Sequence, residues 1–445
     1  MDYWDAIDYI LALPDLERFS SGPGGQTMSL EAMKALLARL GNPEKGRKTV
    51  HVTGSKGKGS TSSMIASVLH ESGYKTALYT SPHLHDYVER ISLDLLPVSR
   101  FDFADGIAEI RDAIDEVNVS DLGPVSTFGA MNALFFHLCR KNGVEWQVVE
   151  VGLGGTHDAT NVFETKEAAV ITAISLEHTA LLGNTCAEIA AEKSGIITKG
   201  SVAVLAAQRD RGVLPVVQER CRTTGAKLVD VGSAYHVHPS AHDSNGQSFI
   251  IEGPKRKYSL HTAMLGVHQT ANAATAVATV EALLENGADK VSTDTIEDGI
   301  ANIEVFGRME QLTRRPITLI DGAHNGESME ALIEAIDRHF DYDDCIFILG
   351  VNTDKNIDEM LRSIKRLEPK RIIATKSQNQ KAMDPTKIVE AAMTLGMEAT
   401  ATQHVLAAIT MAKEFAALED LVCITGSLYV AGEAREKILS LPAVH

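Results

Sequence analysis

The chain reads as an α/β protein built on parallel sheets, and three observations point there. Apolar β-branched runs alternate with longer segments of helical period. A glycine-rich turn joins one such run directly to a helix. The alternation restarts after residue 302 with its own set of apolar strands. At about 100–200 residues per domain, 445 residues make two or three domains with ample core. In order, the expected strands are 49–53, 75–80, 146–151 and 169–174, then 317–320, 345–349, 371–374 and 421–425. After the first strand Met64, Ile65, Val68 and Leu69 recur at helical spacing; Ile388, Ala391, Ala392 and Leu395 do so later. Between about residues 229 and 260 short Gly/Ser/His-punctuated pieces predict hairpins, an accessory of the first domain, and a helix follows from about residue 270. The boundary falls near residue 300, giving domains 1–299 and 300–445.

Composition removes several functions. Hydrophobic residues at 44% and charged residues at 23% are those of a folded protein, not a disordered one. Forty-two Lys and Arg against 59 Asp and Glu leave a net charge of −17, which argues against a nucleic-acid partner while allowing a local basic pocket. The five cysteines, Cys139, Cys186, Cys221, Cys345 and Cys423, form no C-x-x-C pair, so neither a disulfide framework nor a thiolate metal site is expected. The acidic start lacks a signal-peptide pattern, and no apolar run approaches the roughly 18 residues of a membrane span. A cytoplasmic protein with no membrane partner is the expectation.

Chemistry concentrates first in VTGSKGKGSTSSM, residues 52–64, where a strand runs into glycines, Lys58 and hydroxyls that open a helix. Gly54, Gly57 and Gly59 let backbone N–H groups turn toward an anion, the helix N-terminus adds partial positive charge, and Lys58 can neutralise phosphate oxygens. Ser60 or Thr61 can face Mg²⁺. The spacing departs from G-x-x-x-x-G-K-[ST], because two residues separate Gly54 from Gly57 and Gly59 intervenes before Ser60. A second strand, WQVVEV, carries Glu150 near its carboxyl end and is followed by Gly152, Gly154 and Gly155. In an open α/β sheet such ends face the ligand crevice, where a carboxylate can hold Mg²⁺ beside nucleotide phosphates.

With these residues in view, the sequence resembles the folylpolyglutamate synthase/dihydrofolate synthase family of the Mur ligase superfamily. The resemblance rests on TGSKGKGS (53–60), YTSPHL (79–84), ERI (89–91), VEVGLGGTHDATNV (149–162), ITAISLEHTALLG (171–183) and AAEKSGII (190–197). It continues through GVHQTANAATA (266–276), FGRME (306–310), IDGAHN (320–325) and GSLYVAGE (426–433), in order from about residue 50 to 435. It implies a P-loop-containing Mur-ligase-like central domain with a parallel sheet, followed by a smaller Rossmann-like α/β domain. It also implies an ATP-dependent ligation of L-glutamate to a reduced folate, and to 7,8-dihydropteroate as well, through an acyl phosphate.

The same resemblance assigns roles. Lys58 and the surrounding amides would hold the β- and γ-phosphates; Ser81 and Glu150 would bind one Mg²⁺ and His178 a second. Lys193 would be carbamylated, turning an ammonium that repels the metal into an anion that suits it. Adenine and ribose contacts would come from Asn272 and, in the second domain, from Arg308, Asp321 and His324. Arg308 could reach the triphosphate only when the domains close. Gly154, Gly155 and Asp158 would line the pterin site, and Lys381 stands where the family usually has an arginine near bound glutamate. Ser55-Lys56, Thr156-His157 and Glu177 depart from the family's usual Thr-Asn, Arg-Leu and Asp. The segment GPGGQTM (22–28) shows nothing assignable to a dihydropteroate pocket. A Mur ligase acting on a cell-wall nucleotide is the near rival, opposed by a P-loop that starts too early for a preceding uridine-nucleotide domain. A P-loop NTPase coupled to a macromolecule is the distant one, opposed by the net charge and by the pair Asp321 and His324. A monomer is expected.

Overall fold

The computed structural model describes residues 1–14 and 30–441, so the segment 22–28 lies outside the described residues. The first sheet contains β1 (Lys48–Thr53), β2 (Thr76–Tyr79), β3 (Ile91–Leu93), β4 (Leu96–Pro97), β5 (Trp146–Glu150), β6 (Ala168–Ile171), β7 (Val202–Leu205) and β8 (Lys227–Asp230). Their order is β4-β3-β2-β5-β1-β6-β7-β8, parallel from β2 to β8, with β3 and β4 added antiparallel at one edge. The glycine-rich turn therefore leaves from the middle of the sheet.

The pleat sends alternate residues to opposite faces. Val50, Val52 and Val148 enter a core with the helices Lys58–Glu71 and Val267–Leu283. Tyr79 and Val149 enter the other core, with the helices Arg100–Asn118 and Thr127–Lys141. Two covered faces are what a parallel sheet requires, which explains its near-continuous apolar strands. The strand expected at 169–174 ends at Ile171. Beyond it the Thr172 hydroxyl turns to the Thr53 carbonyl at 3.2 Å, and Ala173 pairs as an isolated bridge with Lys56.

The polar stretch after residue 229 forms an antiparallel sheet of β9 (His236–Asp243), β10 (Gly246–Glu252) and β11 (Lys257–Thr262), in the order β11-β10-β9. Phe249, Ile251, Tyr258 and Leu260 point from it into the core of the first sheet. The last sheet holds β12 (Glu310–Arg314), β13 (Ile317–Ile320), β14 (Cys345–Leu349), β15 (Arg371–Ala374), β16 (Ala399–Ala401) and β17 (Leu421–Thr425), ordered β12-β13-β17-β14-β15-β16. Only the β12–β13 pairing is antiparallel. Among the described residues no helix is long and apolar enough to cross a membrane.

Candidate active site

The turn after β1 is shaped by two glycines at positive φ. Gly54 sits at φ +148°, and a Cβ there would lie 1.8 Å from Thr172 Oγ1. Gly57, at φ +86°, caps the helix Lys58–Glu71 with no side-chain hydrogen bond, so the first helical amides keep their donors for an external acceptor. A Cβ on Gly57 would lie 2.2 Å from Asn272 Oδ1, which puts Asn272 against the phosphate cradle. Lys58 Nζ donates to the Gly54 carbonyl at 3.0 Å. Ser60 and Thr61 are buried on the first helical turn, and Thr61 Oγ1 has no hydrogen-bond partner among the described residues.

Glu150 closes the next strand, 4% exposed, and accepts the Ser81 N–H at 3.0 Å. A Cβ on Gly59 would stand 3.7 Å from its Oε2, so strand end and cradle adjoin. Burial pushes this carboxyl up, opposed by Lys58, the Ser81 amide and Arg308. No group of three or more His, Cys, Asp or Glu among the described residues is arranged to hold a metal. One carboxylate with neighbouring hydroxyls fits a magnesium ion that takes its remaining ligands from phosphate and water, the usual arrangement for nucleotide-bound Mg²⁺. His178 stands exposed at φ +45°, caps the turn Thr179–Leu182 without a side-chain bond, and has Lys58 and Lys193 among the charges that act on it.

Lys193 is 1% exposed at the end of the helix Cys186–Lys193. Its Nζ donates to the Gly54 carbonyl at 2.9 Å and pairs with Glu177 Oε1 at 3.1 Å. Lys58 and Lys193 thus converge on one carbonyl. Burial, then the Lys58 ammonium, pull Lys193 down to about 8 despite Glu177. Glu177 in turn is held below the usual carboxylate range, because Lys58, Lys193 and Lys56 outweigh its burial.

The loop after β5 packs on the same helix. A Cβ on Gly155 would lie 2.6 Å from the Lys193 carbonyl, and Gly154 O accepts the Thr53 hydroxyl at 2.7 Å. Asp158, expected beside the pterin, is turned inward here. It is 1% exposed, and its carboxylate accepts the Leu153 N–H at 3.0 Å, the Thr160 N–H at 2.9 Å and the Thr160 hydroxyl. All these partners belong to its own loop, so it holds the backbone in shape.

Residues of the last sheet meet this crevice from the other side. Asp321, after β13, accepts the Met309 N–H at 2.9 Å and the Ala323 N–H at 2.8 Å. The Arg308 guanidinium opposes the upward push of burial on the Asp321 carboxyl, as it does on Glu150. His324 Nδ1 lies 2.9 Å from the Gly322 carbonyl, which makes Nδ1 the protonated nitrogen and leaves Nε2 an acceptor. Burial, then Lys56, drop this imidazole to about 4. Leu84 packs against the last core, where a Cβ on Gly432 would lie 2.6 Å from the Leu84 carbonyl. Arg435 bonds Glu310 at 2.7 Å and approaches His85 at 3.4 Å. Lys381 lies exposed in the loop after β15, and its carbonyl accepts the Thr353 N–H at 2.9 Å. Beside it a cavity of about 510 Å³ is lined by Lys376, Gln378, His404 and Glu433 among others, but not by Lys381.

The Mur ligase middle domain matches residues 129–280, and the Mur ligase, glutamate ligase domain matches residues 307–428. The dihydrofolate synthase/folylpolyglutamate synthase of Bacillus subtilis is 32% identical over 353 residues, 79% of this chain and 80% of that one. The chain belongs to the folylpolyglutamate synthase/dihydrofolate synthase family. A Mycobacterium tuberculosis folylpolyglutamate synthase, solved in complex with ADP and AMPPCP, matches with a TM-score of 0.87 at 28% identity, covering 98% of this chain and 99% of that one. The chain also spans half the length of a Haloferax volcanii protein named probable bifunctional folylpolyglutamate synthase/dihydropteroate synthase, 31% identical over 440 residues.

Sequence reasoning within this family missed residues that the fold brings in. Lys56 reaches toward the second half: burial lowers its pKa, and the Glu327 carboxylate is one of the charges that act on it. His85 and Arg435 join the two halves across 350 positions of chain. A histidine inside an apolar strand, His51, and a lysine before another, Lys166, were the sequence signals of a buried polar group beneath the loop.

Proposed function

We propose that this family member is an ATP-dependent ligase that adds L-glutamate to reduced folates and also to 7,8-dihydropteroate. The observation that carries the reading is the meeting of an uncapped phosphate cradle, a buried carboxylate and Arg308 from the opposite half at one crevice. The substrate carboxylate takes the γ-phosphoryl group of ATP, breaking the bond to the β-phosphate oxygen and releasing ADP. The amine of glutamate then attacks the acyl carbon, the C–N bond forms, and phosphate leaves with the electrons of the broken C–O bond. Lys58 and the helix amides bind the phosphates, and Arg308 offsets charge that builds during transfer. His324, neutral at physiological pH with Nε2 bare, accepts the proton that the attacking amine loses. Glu150, Ser81 and Ser60 would hold Mg²⁺, which neutralises phosphate oxygens when bound.

Within the same reading Asn272 and Asp321 border the nucleotide, Gly154 and Gly155 line the pterin side, and Asp158 keeps their loop in place. Lys381 and the adjoining polar cavity lie on the glutamate side, and His178 contributes to a second magnesium site when phosphate supplies the missing ligands. Lys193 is carbamylated in the active enzyme. We place the domain boundary near residue 300 and read the protein as a cytoplasmic monomer with small-molecule partners and no nucleic-acid partner.

The test is ADP release with Mg²⁺, ATP and L-glutamate, run in parallel with dihydropteroate, tetrahydrofolate and no pterin. Turnover with both pterins is expected. Turnover with tetrahydrofolate alone would remove the dihydropteroate activity, and no stimulation by either would overturn the substrate assignment. A Mur-type ligase of another carboxylate would then be the reading to pursue.

A further inference from the structure

Below the loop of residues 152–155 four polar side chains are shut away from water. Lys166 is 4% exposed, His51 0%, Thr160 0% and Asp158 1%. Lys166 Nζ lies 2.9 Å from His51 Nδ1 and 3.3 Å from Asn161 Oδ1. His51 Nε2 lies 2.8 Å from Thr160 Oγ1, and the Thr160 hydroxyl bonds Asp158 Oδ1. Asp158 Oδ2 then takes the Leu153 N–H at 3.0 Å. Phe163 walls the group, its ring facing Lys166 Nζ at 5.4 Å and meeting the His51 ring edge to face at 5.5 Å.

With Asp158 in the carboxylate form, which the Leu153 and Thr160 amides favour against the upward push of burial, the inventory of protons allows only one direction of donation. A carboxylate accepts, so the single hydroxyl proton of Thr160 goes to Asp158. Thr160 Oγ1 must then accept from His51, which puts the imidazole proton on Nε2 and leaves Nδ1 to accept from Lys166. A lysine amine carries N–H whether charged or neutral, so the direction does not depend on its protonation. Burial, then Lys166, hold the His51 imidazole well below its usual range, consistent with a neutral ring. Three hydrogen bonds of one polarity run from Lys166 to the aspartate, and aligned bonds in a dry interior reinforce one another.

We propose that Lys166, His51 and Thr160 are positioning residues that orient Asp158 and so fix the 152–155 loop for the folate substrate. They touch neither nucleotide nor folate. Their effect is to keep the Leu153 amide bound and the backbone of Gly154 and Gly155 in its binding shape; this rests on the reading of that loop as the pterin side. Thr53, which directly precedes Gly54 of the phosphate cradle, holds the same loop through Gly154 O at 2.7 Å and keeps that bond when the Thr160 hydroxyl is lost, so folate affinity falls before nucleotide affinity.

The experiment compares the full-length wild type with Thr160→Val, which removes the hydroxyl at nearly constant volume, and Thr160→Ser, which restores it. Three quantities are measured: amide exchange over residues 152–155, ¹⁵N shifts of His51, and KM for tetrahydrofolate and for ATP. In wild type the shifts should report the Nε2–H tautomer. In Thr160→Val, Leu153 exchange and the KM for tetrahydrofolate should each rise about tenfold, the scale of one lost buried hydrogen bond, with KM for ATP within about twofold and Thr160→Ser near wild type. Unchanged exchange in folded Thr160→Val, or an Nδ1–H tautomer in wild type, would overturn the hydrogen-bond chain itself. Faster exchange with unchanged KM for tetrahydrofolate would leave the chain standing and overturn its role toward the folate. Should Thr160→Val not fold, Lys166→Met carries the same comparison.

Discussion

In the proposed reaction Lys193 would join burial to a chemical task in one side chain. An amine adds CO₂ only in its neutral form, and an unperturbed lysine reaches that form near pH ~10.4. Here the folded value lies near 8, so the neutral fraction grows as pH rises from 7 toward 8.5. Activation by added bicarbonate should therefore strengthen over that range in the wild type and be absent in Lys193→Ala. Lys193→Ala should lose most activity and regain part of it with added short carboxylates; full activity without them would refute carbamylation. Arg308→Ala should lower kcat by about 100-fold or more while changing pterin binding little, because its charge matters most during phosphoryl transfer. Equal losses in the two would count against that role. Lys58 and Glu150 stood out because a glycine-rich turn and a strand-end carboxylate have few other uses together, and the fold brings the two segments side by side. Asp158 was not, since a motif records which residue is present and not which way its carboxylate turns.

Elements place these residues through backbone geometry that the side chains merely reveal. The cradle needs a left-handed residue at position 57 and no Cβ in the space that Asn272 fills. Gly57→Ala meets both obstacles, a conformational cost of about 1–2 kcal/mol and a steric clash, so nucleotide affinity should fall at least about tenfold in a titration with ADP. Little change in affinity would mean that the amides of that turn do not bind phosphate. Short, near-continuous apolar runs separated by segments of helical period exposed the central strands β1, β2, β5 and β6. The edge strands β4 and β16 and the inner β3 went unread, being two or three residues long, too short for any periodicity to emerge, and β7, β8 and β12, four or five residues long, went unread with them. The hairpins after residue 229 were readable from their turns, but not the burial of one face against the first core.

Across the whole molecule, a loop of the first half docks on the last helix. Leu84 and His85 follow Ser81 by a few residues, and they meet Gly432 and Arg435 of the helix Leu428–Leu439. The segment that presents Ser81 to Glu150 is thus the one that the second half grips. Gly432→Val should push the Leu84 carbonyl away, lower kcat and leave ADP binding at the cradle within about twofold; solution scattering should show a more extended particle. Unchanged kcat would mean that this docking does not govern catalysis. From the sequence alone came the α/β class, the family and the glycine-rich turn with Lys58 at a helix start, because each depends on local order: a strand, a turn, a helix start. Only the tertiary structure decided that Asp158 turns inward, that Lys58 and Lys193 share one carbonyl, and that Lys166 and His51 stand beneath the loop. Those outcomes depend on which side chains lose water together, and residues that lose water together can lie more than a hundred positions apart.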